Sequence, residues 1–334
     1  MKFNRIAGYL SQTDIARQLI RCRLMMSLGR KHEAQRGLVD LFEQLRPNAT
    51  HRAGADARRR DRILGDAAEW LADSYAAESQ IDRGVAFFRR MLKKNPGCNA
   101  SYRGLSRLIF PGDDYIQILK ALHEKIQPKF YVEIGVAKGD TLSCVTPSTD
   151  VAGVDPRPQV ERRISSKIAI FPETSDAFFA AYEKRPQFVD RKIDMAFIDG
   201  MHHFEQVLRD FINVEKRATS EGLIVIHDCI PFDEVNSGRD DSATHWVGDV
   251  WKALGVLLDH RPDLDIKIIG APPSGLVLVS RLAPDLRILE QQFLSLVDAY
   301  LPLRFADWVR KYAPRIRIIP SRAAEVARVL AGAS

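Results

Sequence analysis

In the stretch AFIDGMHHFEQVLRDF, Ala196 to Phe211, an apolar run closes on Asp199 and Gly200, and His202 and His203 stand just ahead of a helical pattern. A second run, GLIVIHD, closes on His227 and Asp228 and is followed by Cys229. Paired carboxylates with imidazoles beside them are the groups that hold a hard divalent cation, or that take a proton near neutral pH. Two further acids end or nearly end apolar runs: Glu133 in EIGVAKGDT and Asp155 in DVAGVD.

For these groups to act together, the runs that carry them must lie side by side. From Phe130 onward short apolar runs alternate with helical segments, the pattern of a parallel α/β sheet. Strands are expected at Phe130–Gly135, Asp150–Asp155, Asp194–Asp199, Gly222–Asp228, Asp265–Gly270 and Gly275–Leu282, with helices over His203–Arg217 and Asp249–Asp259 between them. In such sheets ligands bind beyond the carboxyl ends of the strands, which is where Glu133, Asp155, Asp199 and Asp228 fall. Gly135 and Gly139 let the backbone turn tightly against a ligand, and Asp155, twenty residues after Gly135, suits the two hydroxyls of a ribose. The spacing GVAKGD does not fit the G-x-G-x-x-G of dinucleotide-binding folds, which disfavours an NAD-dependent oxidoreductase.

The arrangement E-x-G-x-x-x-G followed by an acid closing the second strand resembles the class I S-adenosylmethionine-dependent methyltransferases, over about Tyr115 to Leu282. FIDGMHHFEQVLRDF, GLIVIHDC, WVGDVWKAL and PSGLVLV look like the bacterial small-molecule O-methyltransferases of the cephalosporin and macrolide-sugar type. The resemblance implies S-adenosylmethionine as cofactor, with Glu133, Gly135 and Gly139 near its methionine part, Asp155 at the ribose, and Ser175 or Asp176 of TSDAFF at the adenine. It also implies Asp199 and Asp228 as ligands of a metal, Mg²⁺ above all, and His202 as the catalytic base beside Asp199. Where metal-dependent relatives place an acid before Asp228 or Asn after it, this chain has His227 and Cys229. Three arrangements stay open: Mg²⁺ on two acids and water, a transition metal that also takes His227, or no metal. The acceptor would be a hydroxyl of a sugar, a glycan intermediate or a secondary metabolite. The competing reading is a non-catalytic cofactor-binding scaffold with a helical protein-interaction module.

The chain of 334 residues accommodates more than one core. Three parts are expected: a helical region over 1–112, the methyltransferase domain over 113–284, and a helical extension over 285–334. The fold class is therefore a Rossmann-like, doubly wound, mostly parallel sheet preceded by an all-α region. In that region RGLVDLFEQL (Arg36 to Leu45) and RGVAFFRRML (Arg83 to Leu92) align at an offset of 47, with Pro47 and Pro96 after them, which resembles a degenerate tetratricopeptide-like pair. The net charge of +6 is concentrated there, since residues 1–63 hold fourteen Lys/Arg against six Asp/Glu. ARRRDR lacks the interleaved aromatics of a base-stacking surface, so a solvated face is expected and nucleic acid is not. Four scattered cysteines form no C-x-x-C pair, and no run approaches the ~20 apolar residues of a membrane span. A cytoplasmic location follows as an expectation, as does a homo-oligomer or protein partner through the N-terminal helices. Asp199 with Gly200 also reads as a plain turn, and His203 as a helix-start residue.

Overall fold

The computed structural model describes residues 12–44, 55–96, 98–160, 167–240, 245–322, 325–326 and 328. Leu45, Pro47, the linker residues 48–54 and most of the basic tail beyond 322 lie outside them. The chain divides into two units, Met1–Phe110 with Ser242–Trp246 and Pro111–Asp241 with Val247–Ser334.

The first unit is helical: α1 Gln12–Ser27, α2 Lys31–Gln44, α3 Ala55–Ala77, α4 Ile81–Lys94 and α5 Asn99–Ile109. The α1–α2 and α3–α4 hairpins keep step at an offset of 50, not the 47 read from the sequence. α2 and α4 start and end 50 apart, and both hairpin turns hold a left-handed residue, Gly29 and Ser79. Ala34, Leu38, Leu41 and Phe42 are buried in α2, and Gly84, Phe88, Met91 and Leu92 occupy the same places in α4. A slip of three residues is close to one helical turn, so it leaves the apolar face nearly in phase and is hard to detect from periodicity.

The second unit opens with α6 Tyr115–Ile126, started by a reciprocal cap in which Asp114 accepts from the Gln117 N–H and the Gln117 side chain accepts from the Asp114 N–H. The strands follow as β1 Phe130–Ile134, β2 Asp150–Val154, β3 Ile168–Phe171, β4 Ile193–Ile198, β5 Ala218–His227, β6 Asp265–Gly270, β7 Leu276–Ser280 and β8 Ile318–Pro320. The helices among them are α7 Ser175–Ala180, α8 Phe204–Glu215, α9 Trp251–His260, α10 Ile288–Gln291, α11 Phe293–Tyr300 and α12 Phe305–Tyr312. One sheet forms in the order β3-β2-β1-β4-β5-β7-β6-β8, parallel except at β7, which runs antiparallel to β5 and β6. The β3 and β8 strands were not expected from the sequence. IAIF is too short to show a period, and IIP ends in a proline that a strand tolerates only at an edge, where β8 lies.

Every residue of β1 is buried because helices cover both faces. Phe130, Val132 and Ile134 pack with α8 and α9, while Tyr131 packs with Ile118, Leu119 and Leu122 of α6. Trp251 serves packing: its ring meets Phe305 and Trp308, and its indole N–H donates to the Ser237 carbonyl at 3.1 Å. The last fifty residues are more than a helical extension, since they add β8 to the sheet and anchor α11 and α12 on Asp259. The Tyr300 and Tyr312 hydroxyls each donate to it at 2.6 Å.

At the opposite end from the ligand edge, α8 and α9 are tied by a buried ion pair. Arg261 donates to both oxygens of Glu215, at 2.6 and 2.8 Å, with Asp263 against the same guanidinium. Glu215→Ala is expected to lower unfolding stability by about 3 kcal/mol, since it strands a buried guanidinium on one half-exposed partner. Urea denaturation of both proteins measures the difference.

Candidate functional site

The carboxyl ends of β1, β2, β4 and β5 meet along one edge because the backbone there is unusually close. Gly135 has φ +90°, and a Cβ at that position would stand 2.0 Å from the Asp199 carbonyl oxygen. Only glycine therefore lets the end of β4 lie against the end of β1, where the Asp199 N–H donates to the Ile134 carbonyl at 2.8 Å. Beside it Asp155 accepts the N–H groups of Ala137 at 2.8 Å and Arg157 at 2.7 Å. Those bonds fix the carboxylate and leave lone pairs on both oxygens.

A cavity of about 660 Å³ opens over this edge, and its walls include Gly135, Asp155, Ser175, Asp176, Asp199, His202 and Asp228. At one end Ser175 and Asp176 begin α7, whose first turn is capped by the Thr174 hydroxyl. The Gln206 amide donates to both, at 3.1 Å to Ser175 and 3.1 Å to Asp176. Gln206 was not singled out in the sequence. Its signal is its place one turn along the helix that His203 starts. Glu133 and Gly139, expected at the cofactor, do not line the cavity. Glu133 is fully buried, accepts from Tyr131 at 2.8 Å and Thr141 at 2.6 Å, and burial pushes it up to about 7 despite those two bonds. Gly139 has its Cβ direction toward Val160 and Leu142.

At the other end stand Asp199, His202 and Asp228, with His227 behind them. Nε2 of His202 lies 3.4 Å from Asp199 and 3.2 Å from Asp228. Nδ1 of His227 lies 3.0 Å from Asp199 and 3.4 Å from Asp228. Two imidazoles thus bracket two carboxylates, and Ser274 donates a further hydrogen bond to Asp228. Asp228 itself has φ +59°, a left-handed conformation in which a non-glycine residue is uncommon. Burial opposes ionisation of both acids, yet the histidines outweigh it and hold both below the usual carboxylate range. Burial likewise opposes the charge on His202, but Asp228 and then Asp199 lift it to about 9. His227 is raised in the same way. Its ring lies on Tyr115 at a centroid distance of 4.4 Å, and its Nε2 is buried without a partner. Tyr115 and Ser274 were both missed as site residues by the sequence reading: Ser274 lies within the quoted PSGLVLV, but nothing local shows that it reaches Asp228, and Tyr115 lies far from His227 in the chain.

His202 is held by its backbone. Gly248, at φ +67°, lies so close that a Cβ there would stand 1.9 Å from the His202 carbonyl oxygen. The next residue, Asp249, donates its N–H to that oxygen at 3.2 Å and accepts from the Phe204 N–H at 2.7 Å, so it caps α8. The sequence placed Asp249 at the start of the following helix instead. Arg239 and Lys252 neutralise the buried Asp249 at 2.8 and 3.0 Å. His203 starts α8 with Nε2 3.3 Å from the Arg239 carbonyl and does not line the cavity. Cys229 packs in the core, where burial pushes its thiol up. Trp246 belongs to the first unit.

Among the described residues, Asp199, His202 and Asp228 bring three candidate ligand atoms within 4.8 Å of one another. Two carboxylates and one imidazole fit a divalent cation in charge and donor type. His227 stands outside this group, with one nitrogen on Asp199 and the other buried.

Residues 132–229 match the family model described as a methyltransferase domain. No curated protein sequence matches the chain. Similar solved structures include the O-methyltransferase TomG of Streptomyces achromogenes, determined with SAM, at 14% identity over 50% of this chain and 79% of that one, TM-score 0.40. The O-methyltransferase of Bacillus cereus in complex with SAH is 12% identical over 60% of this chain and 98% of that one, TM-score 0.40. A methyltransferase of Geobacter sulfurreducens is 13% identical over 60% and 89%, TM-score 0.37. With scores of this size, the assignment rests on the family match and the sheet. Residues 132–229, inside the second unit, match a methyltransferase domain and lie on a mostly parallel, Rossmann-like sheet preceded by a helical region.

Glu133→Gln tests the electrostatics beneath the cavity. Above pH ~4.5 the unfolded chain releases the Glu133 proton while the folded chain keeps it up to about 7, so wild-type stability falls across that window. The glutamine variant lacks this loss, and its melting temperature relative to wild type is expected to rise from pH 5 to pH 8. An unchanged difference would mean that Glu133 ionises normally.

Proposed function

We propose that the protein is an S-adenosylmethionine-dependent O-methyltransferase acting on a hydroxyl of a small molecule, such as a sugar, a glycan intermediate or a secondary metabolite. The observation that carries this reading is the placement of His202 between Asp199 and Asp228 at one end of a cavity whose other end holds Asp155, Ser175 and Asp176.

In this reading Asp155 receives the ribose hydroxyls on its free lone pairs, and Gln206 holds Ser175 and Asp176 in place for the adenine edge. The bound cofactor supplies an electrophilic methyl group on a sulfonium. An in-line displacement of this kind is governed by positioning, so a fixed backbone edge around Gly135 contributes directly to rate. The acceptor hydroxyl faces His202, which takes its proton as the oxygen–carbon bond forms and the sulfur–carbon bond breaks. Asp199 and Asp228 then stabilise the imidazolium produced, and Ser274 and His227 keep those carboxylates aimed. A divalent cation held by Asp199 and Asp228 would add stabilisation of the alkoxide and would weaken the field that keeps His202 protonated.

Calorimetric titration of the full chain with S-adenosylmethionine is the first test. Binding is expected, weakened at least tenfold by Asp155→Ala and nearly unaffected by His202→Ala; no heat in any condition would overturn the reading. Assayed against hydroxyl acceptors, His202→Ala is expected to lower turnover by roughly 10²- to 10⁴-fold, the usual contribution of a general base.

The pH dependence has a definite sign. A base lifted to about 9 is protonated at neutrality, so kcat/KM in metal-free buffer should rise with pH up to about that value. Added Mg²⁺ should move the midpoint downward. A rate that is flat between pH 6 and 9 would remove His202 from the role.

A further inference from the structure

The 50-residue correspondence between the two helical hairpins of the first unit allows each surface of one to be compared with its counterpart on the other. The second hairpin uses one face to pack on the first. On that face Trp70 lies under Arg23 at 5.4 Å, Glu78 meets His32 at 3.2 Å, Phe87 meets Phe42 at 6.1 Å, and Glu43 accepts from Arg90 at 2.7 Å. Ser74, between Trp70 and Glu78, is buried there.

Fifty residues earlier the same positions are Ile20, Leu24, Leu28, Gly37 and Asp40. Ile20, Leu24 and Leu28 are 68%, 59% and 64% exposed. They lie at i, i+4 and i+8, a continuous stripe along α1 opposite its buried residues Leu19 and Cys22. A groove of about 650 Å³ runs beside the stripe between α1 and α2. The face that the second hairpin buries is therefore open, and apolar, on the first.

Its charge sets it apart from an interface between like hairpins. Ala67 and Leu71 are fully buried on the second hairpin, and their counterparts here are Arg17 and Arg21. With Arg36 these line the groove, and none of the three forms an ion pair among the described residues. Two acids line the same groove, Glu33, which Arg30 already engages and which also feels Arg21 and Arg36, and Asp40, so the three arginines keep an excess of positive charge. A second copy of the same face would bring arginine against arginine, and residues 1–11 carry Lys2 and Arg5 with no acid, so both have the wrong sign.

We propose that this α1–α2 face is a docking site for an amphipathic helix of a partner protein, with leucine-like residues on one stripe and acids flanking them. The helix would seat on Ile20, Leu24 and Leu28 and pair its carboxylates with Arg17, Arg21 and Arg36, in the place a preceding hairpin would take.

The test uses the full chain and two synthetic helical peptides of about 20 residues, each with leucines at every third or fourth position, one flanked by glutamates and the other by lysines. Fluorescence anisotropy should show the glutamate peptide binding at least about tenfold more tightly than the lysine peptide, with the preference shrinking as salt rises. Leu24→Glu, at an exposed position, should weaken binding about tenfold or more with an unchanged melting curve. Arg17→Glu with Arg21→Glu should reverse the preference between the peptides. Equal binding of both peptides, or binding of neither, would overturn the proposal. So would a dimer in light scattering that Leu24→Glu dissociates, which assigns the face to a second copy, or binding seen only after removal of residues 1–11, which assigns it to the chain's own segment.

Discussion

Two carboxylates at the ends of adjacent parallel strands, Asp228 buried and Asp199 partly so, repel each other and lose hydration, and the second unit is arranged around meeting that cost. Asp199 and Asp228 are tolerated because His202 and His227 each contact both. A buried charge of this kind is stable only when every partner is held in place. The neighbouring features follow from that demand. Gly135 admits the Asp199 backbone, Ser274 donates to Asp228, and Tyr115 covers His227. Gly248 and Asp249 fix the backbone of His202.

The same arrangement sets the charge on the histidine between the two acids. The two carboxylates hold the His202 imidazole in its protonated form at neutral pH. Asp249 shows a similar economy at longer range, since one side chain caps α8, receives Arg239 and Lys252, and sits next to the glycine that presses on His202. His202 and the helix that bears Gln206 are therefore positioned by one buried acid.

The helical unit illustrates how far periodicity reaches. The apolar stripes of α2 and α4 were visible as a recurring pattern, but their offset was misread by three residues. A helix repeats its faces every 3.6 residues, so two alignments one turn apart bury almost the same side chains. The left-handed turn residues Gly29 and Ser79 distinguish them, and a serine in that conformation has no sequence signal. With the offset corrected, the apolar stripe on α1 becomes the counterpart of a buried surface.

The sequence by itself determined the alternation of strands and helices from Phe130 onward and the strand ends that carry Gly135, Asp155, Asp199 and Asp228. Apolar runs that stop at an acid or a glycine are local events, and local spacing records them. Tertiary structure alone decided which acids converge and which do not. Glu133 turned beneath the cavity to Tyr131 and Thr141, because alternate residues of a strand face opposite sides of the sheet. It also decided that Ser274 and Tyr115 join the site, since each arrives from an element dozens of residues away in the chain, that Gln206 reaches Ser175 and Asp176, and that the last fifty residues add an edge strand. Proximity of that kind comes from strand order, and strand order is fixed by packing across the whole sheet.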